Sequence, residues 1–77
     1  MKIDVVLQRE GEMWVVEVKP SASVSALGGA LCYVLMAEAD GFISVPLVPA
    51  VVTDRASPDI LYCAEQLGVT VVEVGVP

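Results

Sequence analysis

The chain has 77 residues, which is enough for one small domain, residues 1–77, and leaves no room for a second. Ten acidic and four basic side chains give it a net charge of −6, a balance that disfavours binding to nucleic acid phosphates. Its apolar stretches are shorter than the roughly 20 residues of a membrane-spanning helix, so we expect no membrane span.

Two strands joined by a tight turn are predicted first. Polar and apolar side chains alternate over Lys2–Gln8, which is the period of a β-strand. Met13–Lys19 is rich in valine and predicts a second strand, and the Glu10-Gly11 step between the two is typical of a hairpin turn. A hairpin that turns there pairs residues whose numbers sum to 21.

A long apolar helix is predicted next. Pro20 is expected to end the second strand, because proline cannot donate a hydrogen bond to the sheet. Ser21 or Ser23 then provides the N-cap of the helix, since a serine hydroxyl accepts from the backbone N–H groups of the first turn. The helix is expected to run to about Ala39, just before a glycine.

The second half of the chain is predicted to hold two short strands and a helix. Phe42–Val45 indicates a buried strand, and two prolines then favour an extended, non-helical path over residues 46–56. Ser57, followed by proline and aspartate, is typical of a helix N-terminus, and Gly68 is expected to end that helix. The valines of Val69–Val74 predict a last strand buried on both faces.

The order of these elements predicts the fold class. The predicted order is strand, strand, helix, strand, helix, strand. This order is typical of a mixed β-sheet whose later strands are connected through helices. The sequence shows no internal repeat or low-complexity linker that would divide it. We therefore expect an α/β (α+β) domain in which a β-hairpin is followed by helix, strand, helix and strand.

The first helix is apolar on almost every side, and this predicts how the chain associates. A hydrophobic content of 56% is more than so small a domain can bury, which favours a homo-oligomer. The helix carries small residues at Ala26, Gly28, Gly29 and Ala30. One side is expected to cover the sheet and the other to meet a second copy, as a dimer. Close packing of the glycines against the chain's own sheet is the alternative.

The two cysteines, Cys32 and Cys63, lie in the predicted helices. The N-terminus shows no signal-peptide pattern, so they are expected to be buried, reduced thiols in a cytoplasmic protein. The sequence has no histidine and no third cysteine, which excludes a zinc site made by one chain.

Three polar residues of the hairpin form the candidate site: Asp4, Glu17 and Lys19. In the predicted register Asp4 and Glu17 face each other, with Cβ atoms about 5 Å apart, where like charges are unfavourable unless a cation lies between them. Lys19 follows two residues after Glu17 on the same face of the strand. Carboxylate oxygens suit Mg²⁺ or Mn²⁺, so Asp4 and Glu17 are the predicted metal ligands.

This set of groups predicts phosphodiester hydrolysis. A divalent metal polarises the scissile phosphate and lowers the pKa of an attacking water, while Lys19 orients that water or stabilises developing charge. The alternative is that all three residues are surface charges on a strand, where Glu17 and Lys19 form a solvated pair of negligible energy.

The segment KIDVVLQREGEMWVVEVKP resembles the central hairpin of the PD-(D/E)xK, or restriction-endonuclease-like, nucleases. The resemblance is nearest to the archaeal Holliday-junction-resolvase and RecB-type branches. Asp4 stands for the aspartate of the motif, and Glu17-Val18-Lys19 stands for its ExK. SALGGALCYVLMAEADGFISVP and AEQLGVTVVEV are similar to the helix that follows ExK and to the closing helix and strand.

The sequence departs from the family pattern at three places. Only three residues precede Asp4, although members of the family usually have a helix before the hairpin. Ile3 stands where the motif has proline. Gly29 stands where RecB-type members have glutamine, while the tyrosine of that motif remains as Tyr33.

The resemblance implies both a fold and an activity. It implies a minimal restriction-endonuclease-like core and a Mg²⁺-dependent endonuclease acting on DNA, with Asp4, Glu17 and Lys19 as the catalytic residues. The second function that the residues allow is a catalytically inactive nuclease-fold module, which serves as a dimerisation or partner-binding protein. The small number of basic side chains separates the two, because a nuclease working alone needs a basic track for its substrate.

Overall fold

A computed structural model describes residues 5–41 and 45–75, which form one four-stranded sheet and two helices. In chain order the elements are β1 (Val5–Arg9), β2 (Glu12–Ser21), α1 (Val24–Asp40), β3 (Leu47–Arg55), α2 (Pro58–Leu67) and β4 (Thr70–Glu73). The strands lie in the order β1-β2-β3-β4, with β1 antiparallel to β2 and the other neighbours parallel. The predicted mixed α+β fold is confirmed.

The hairpin has the predicted register. β1 and β2 pair from Val5 opposite Val16 to Arg9 opposite Glu12, so the numbers of opposed residues sum to 21. Both turn residues have positive φ, 43° at Glu10 and 82° at Gly11, which is the requirement of the two-residue turn that matches strand twist.

The ends of both helices are also as predicted. The Ser23 hydroxyl accepts from a backbone N–H of the first turn of α1 at 3.3 Å, and Ser57 does the same for α2, where Pro58 is the first helical residue. Gly41 and Gly68 follow the two helices in the left-handed conformation and donate their N–H groups to the last turns. Local sequence therefore determines where these helices begin and end.

The third strand is not where the sequence predicts it. The strand is Leu47–Arg55, it lies in the middle of the sheet, and Val45 is in a bend before it. The rest of the predicted Phe42–Val45 strand, residues 42–44, lies outside the described residues. The prediction is therefore wrong at Val45, and the extended segment predicted after Pro46 is itself a strand, with Pro49 inside it.

Proline is tolerated in these strands because of the direction in which its nitrogen points. Met13 donates its N–H to the carbonyl oxygen of Pro46 at 2.9 Å. Backbone nitrogens along a strand point alternately to its two neighbouring strands, so the nitrogen of Pro49 points away from β2. Pairing with β4 begins only at Ala50, so Pro49 removes no bond from either ladder. By the same alternation Pro20 points its nitrogen away from β3, and β2 continues through it instead of ending there.

Both helices pack on the same face of the sheet, which we call the helix face. One buried cluster joins residues of α1, β3, α2 and the residue before β4: Ala26, Leu27, Ala30, Val51, Ala64 and Val69. Alternation along the strands places the residues with odd numbers in β2, β3 and β4 on this face. The opposite face, which we call the open face, is covered by no helix among the described residues.

Three expectations about burial are wrong for this reason. β4 was expected to be buried on both faces, but Val72 on the open face is 39% exposed. Cys32 and Cys63 were expected to be buried, but both lie on exposed sides of their helices. A helix that covers only one face of the sheet buries one stripe of its surface, so its other side chains face outward.

None of the described helices is long and apolar enough to cross a membrane.

Candidate functional site

Glu17 and Lys19 lie close together on the helix face, towards the end of β2. Glu17 is opposite Val51 of β3 and Lys19 is opposite Thr53, so both are on an interior strand of the sheet. Parallel strands end together at one edge, and in open α/β sheets this is the edge where ligands bind. The predicted pair therefore lies at a favourable edge of the sheet.

The carboxylate of Glu17 is buried and incompletely satisfied. Glu17 is only 8% exposed, and its Oε2 atom has no hydrogen-bond partner within the described part of the chain. Its Oε1 atom lies 3.5 Å from Nζ of Lys19, whose side chain is 49% exposed. A buried carboxylate costs several kcal/mol unless it is paired and hydrogen-bonded, and one half-exposed ammonium at this distance offsets only part of that cost. Glu17 is therefore suited to receive a further positive group.

Helix α1 closes over this carboxylate at Gly29. A Cβ atom added at Gly29 would lie 3.1 Å from Oε2 of Glu17. The missing side chain is what leaves the carboxylate its space under the helix. Ala26 and Ala30 are buried on either side of this contact, whereas Gly28 is exposed and a Cβ atom added there meets nothing within 4 Å.

The contact at Gly29 answers part of one question that the sequence left open. Gly29 packs against the chain's own sheet, as in the alternative interpretation of the small-residue patch, while Gly28 faces outward. The sequence gives no indication that Gly29 meets Glu17, because the two residues are joined only by the packing of α1 on β2. The signal available was the spacing from Ala26, which places Gly29 one helical turn later on the same face.

Two neighbours of the pair have other roles. The Thr53 hydroxyl is buried opposite Lys19, and it donates to the backbone carbonyl of Arg55 at 3.0 Å. Arg9 lies at the other end of the sheet and on the open face, with its guanidinium 5.7 Å from the ring centroid of Trp14. Arg9 therefore does not contribute positive charge to the site of its own chain.

Asp4, the third predicted member of the site, lies outside the described residues. Its place opposite Glu17 stays a prediction, although the described strand pairing begins at the neighbouring pair, Val5 and Val16. Over residues 5–41 and 45–75, no three histidine, cysteine or acidic side chains are grouped closely enough to hold a metal ion. The described part of the site thus consists of one buried carboxylate and one ammonium.

These groups fit the metal that the sequence implies. The orphaned oxygen of Glu17 is a hard anionic donor, which is the ligand type that Mg²⁺ and Mn²⁺ prefer. One protein carboxylate does not complete such a site, and Mg²⁺ ordinarily keeps waters and substrate phosphate oxygens among its ligands. The Glu17 carboxylate is therefore of the chemical type that ligates such a metal.

Comparison with known proteins gives no family for this chain. No protein-family model matches the sequence, and no curated protein or solved structure shows significant similarity to it. The resemblance to the PD-(D/E)xK nucleases accordingly rests on the motif and on the order of the elements that follow it.

Proposed function

We propose that this chain is a metal-dependent nuclease, or the subunit of one, that hydrolyses phosphodiester bonds in DNA. Asp4 and Glu17 hold Mg²⁺ or Mn²⁺, and Lys19 assists the reaction. The observation that carries the proposal is the buried Glu17 carboxylate, whose Oε2 has no partner among the described residues while Oε1 lies 3.5 Å from Lys19. A surface charge placed for solubility would not be buried under a helix.

Glu17 and Lys19 have separate roles in the proposed reaction. When bound, the metal polarises the phosphate and makes water a stronger nucleophile at neutral pH. Glu17 is held in one place by the sheet below it and by α1 at Gly29, so its carboxylate is fixed in position. Lys19 is half-exposed and reaches solvent, so its ammonium is available to a phosphate oxygen on which negative charge develops.

Calorimetric titration with Mg²⁺ and a plasmid-nicking assay test this proposal. Glu17→Gln keeps the size of the side chain and removes its charge, so it should abolish both the metal binding and the nicking of the wild-type chain. Glu65→Gln makes the same change at an exposed position of α2 and should leave both unchanged. A wild-type chain that binds Mg²⁺ no better than Glu17→Gln does contradicts the proposal.

A specific observation also favours the second function, an inactive nuclease-fold module that binds a partner. The chain has four basic residues against ten acidic ones, which is a poor balance for a protein that must hold DNA by itself. In this case Glu17 and Lys19 form a structural ion pair. Metal-dependent nicking that is lost on Lys19→Ala would exclude this second function.

Both proposed functions include association of the chain with a second copy of itself. The sequence predicts a homodimer through α1, and the outer side of that helix does expose apolar side chains at Val24, Leu35 and Met36.

A further inference from the structure

A second basic side chain, Arg55, lies close to the candidate site on the helix face. In the register of the parallel strands, Lys19 is opposite Thr53 and Ser21 is opposite Arg55. Residues two apart on a strand share a face, so Lys19 of β2 and Arg55 of β3 are diagonal neighbours. With strands about 4.8 Å apart and about 3.3 Å per residue, their Cα atoms are roughly 8 Å apart. Both long side chains can therefore reach the same bound molecule.

The backbone of Arg55 is held in place by two hydrogen bonds. Its carbonyl oxygen accepts from the backbone N–H of Ala22 at 3.1 Å and from the buried hydroxyl of Thr53 at 3.0 Å. The first bond joins the end of β3 to the segment between β2 and α1. The side chain of Arg55 is exposed. Arg55 therefore presents its positive charge to solvent from a fixed position on the backbone.

Three acidic residues lie near Arg55, and none of them neutralises it. Asp54 is next in sequence, but alternation places it on the open face, where it lines a shallow cavity. Glu73 shares the helix face on the far side of Thr53 and is exposed. Asp59 lies in the first turn of α2, where the helix dipole favours a negative charge. Within residues 5–41 and 45–75 the guanidinium of Arg55 forms no ion pair, so it is available to an anion from outside the chain.

The net charge of −6 is spread unevenly between the two ends of the sheet. Among the described residues, the end with the hairpin turn and the last turns of both helices has Arg9 as its one basic residue. Five acidic residues lie at that end: Glu10, Glu12, Glu38, Asp40 and Glu65. Over the same described ranges, the end where β2 and β3 finish has two basic residues, Lys19 and Arg55, against four acidic ones, of which Glu17 is buried. A DNA strand is therefore repelled less at the end that holds Arg55.

We propose that Arg55 binds a phosphate group of the DNA strand next to the one that is cut. This inference rests on the proposed function, in which Glu17 holds the metal and Lys19 assists at the scissile phosphate. Arg55 lies on the same face, one diagonal step further towards the end of the sheet, so the phosphate that it contacts is a neighbour of the scissile one. A guanidinium suits this role, because its planar fork of donors matches the oxygens of a phosphate.

Fluorescence anisotropy with a short labelled DNA duplex tests the proposal in a chelator, where the DNA is not cut. Arg55→Gln removes the guanidinium and keeps the two hydrogen bonds to the backbone carbonyl, so the fold should not change, which circular dichroism verifies. Arg9→Gln is the matched control, because it removes the same charge from an exposed arginine at the hairpin end. We expect Arg55→Gln to weaken binding about tenfold. Between about 0.05 M and about 0.2 M salt, it should also reduce the slope of log affinity against log salt by about one, and Arg9→Gln should change both values much less.

Nicking kinetics in Mg²⁺ give a second readout. Because Arg55 contacts a phosphate that is not cut, Arg55→Gln should raise KM about tenfold and change kcat little. Arg55→Lys keeps the charge and loses the planar fork, so its KM should lie between those of the wild type and Arg55→Gln. The loss of binding should be the same for duplexes of two unrelated sequences, because a phosphate contact carries no base information.

The outcomes separate this inference from the proposed function. Equal binding of the duplex by the wild type and Arg55→Gln overturns the role of Arg55, even if the wild type nicks DNA in Mg²⁺. Equal losses in Arg55→Gln and Arg9→Gln overturn it too, because only net charge then matters, and so does a wild type that binds no duplex at the lowest salt. A wild type that does not nick, but binds the duplex through Arg55, contradicts the nuclease and supports the phosphate contact.

Discussion

At the scale of single residues, Glu17 is unusual because its carboxylate is buried. The carboxylate lies under α1 with one oxygen near Lys19 and the other without a hydrogen bond from the described residues. A buried charge left in this state reduces stability, and a bound cation restores it. Stability and metal binding should therefore be linked through this one side chain.

We expect Glu17→Gln to change stability in opposite directions with and without metal. In a chelator the variant should be more stable than wild type by about 1 kcal/mol, because a buried charge is replaced by a neutral amide. At millimolar Mg²⁺ the wild type should gain stability and the variant should not. Urea unfolding followed by circular dichroism measures both values. A variant that is less stable in chelator and still responds to Mg²⁺ would contradict this view of Glu17.

The two adjacent glycines of α1 provide a matched pair. In Gly28→Ala the added Cβ atom contacts nothing within 4 Å, and alanine is a better helix former than glycine. This substitution should therefore raise the free energy of unfolding by about 1 kcal/mol. Gly29→Ala brings its Cβ to 3.1 Å from Oε2 of Glu17, so most of that gain should be lost and Mg²⁺ affinity should fall severalfold. Denaturant unfolding and calorimetric titration of both variants measure the effect. Equal behaviour of the two variants would show that Gly29 does not position the carboxylate.

At the scale of elements, the structure follows local chemistry closely at turns and helix ends. The Glu10-Gly11 turn sets the hairpin register, which is why the opposition of β1 and β2 could be predicted from the sequence. The serine caps and the terminal glycines of the two helices were predictable for the same reason, since each acts on residues within one turn.

Ser23 and Ser25 test how much one of these local signals contributes. Ser23→Ala removes the hydroxyl that accepts from the first turn of α1, a turn without an acidic residue, and should cost about 1 kcal/mol of stability. Ser25→Ala makes the same change inside the helix, where alanine is the better residue, and should be neutral or slightly stabilising. Thermal unfolding compares the two, and a similar loss in both would contradict the capping role.

Features that depend on neighbouring elements were not predictable from local sequence. Whether Pro49 can lie in a central strand depends on which way its nitrogen points and on where β4 begins to pair. The contact of Gly29 with Glu17 arises only when α1 packs on β2. The exposure of Cys32 and Cys63 follows from both helices covering one face of the sheet, which the sequence does not reveal. The closeness of Glu17 and Lys19 was predictable from the alternation along β2, but the burial of Glu17 was not.

At the scale of the whole molecule, charge is the dominant property. A chain with ten acidic and four basic side chains repels itself when it is compact. Salt reduces this repulsion, because the screening length shrinks from about 30 Å at 0.01 M to a few ångströms near 1 M. The same excess of negative charge repels a nucleic acid unless a metal ion or a partner offsets it.

We therefore expect the chain to be stabilised by salt in the absence of divalent metal. Raising the ionic strength from about 0.01 M to about 0.5 M in a chelator should increase the free energy of unfolding by about 1 kcal/mol. Thermal unfolding in sodium chloride measures this, and potassium chloride at equal ionic strength is the control for a specific ion. A decrease in stability would mean that favourable ion pairs outweigh the net repulsion.

The most direct test of the candidate site is the position of a bound metal. In a crystal soaked in Mn²⁺, we expect an anomalous peak next to Oε2 of Glu17 on the side where β1 lies, with Asp4 as its second protein ligand. The same soak of Glu17→Gln should show no peak there. Wild-type crystals with no peak at Glu17, or with Mn²⁺ bound only at other acidic residues, would contradict the assignment of this hairpin as a metal-dependent nuclease site.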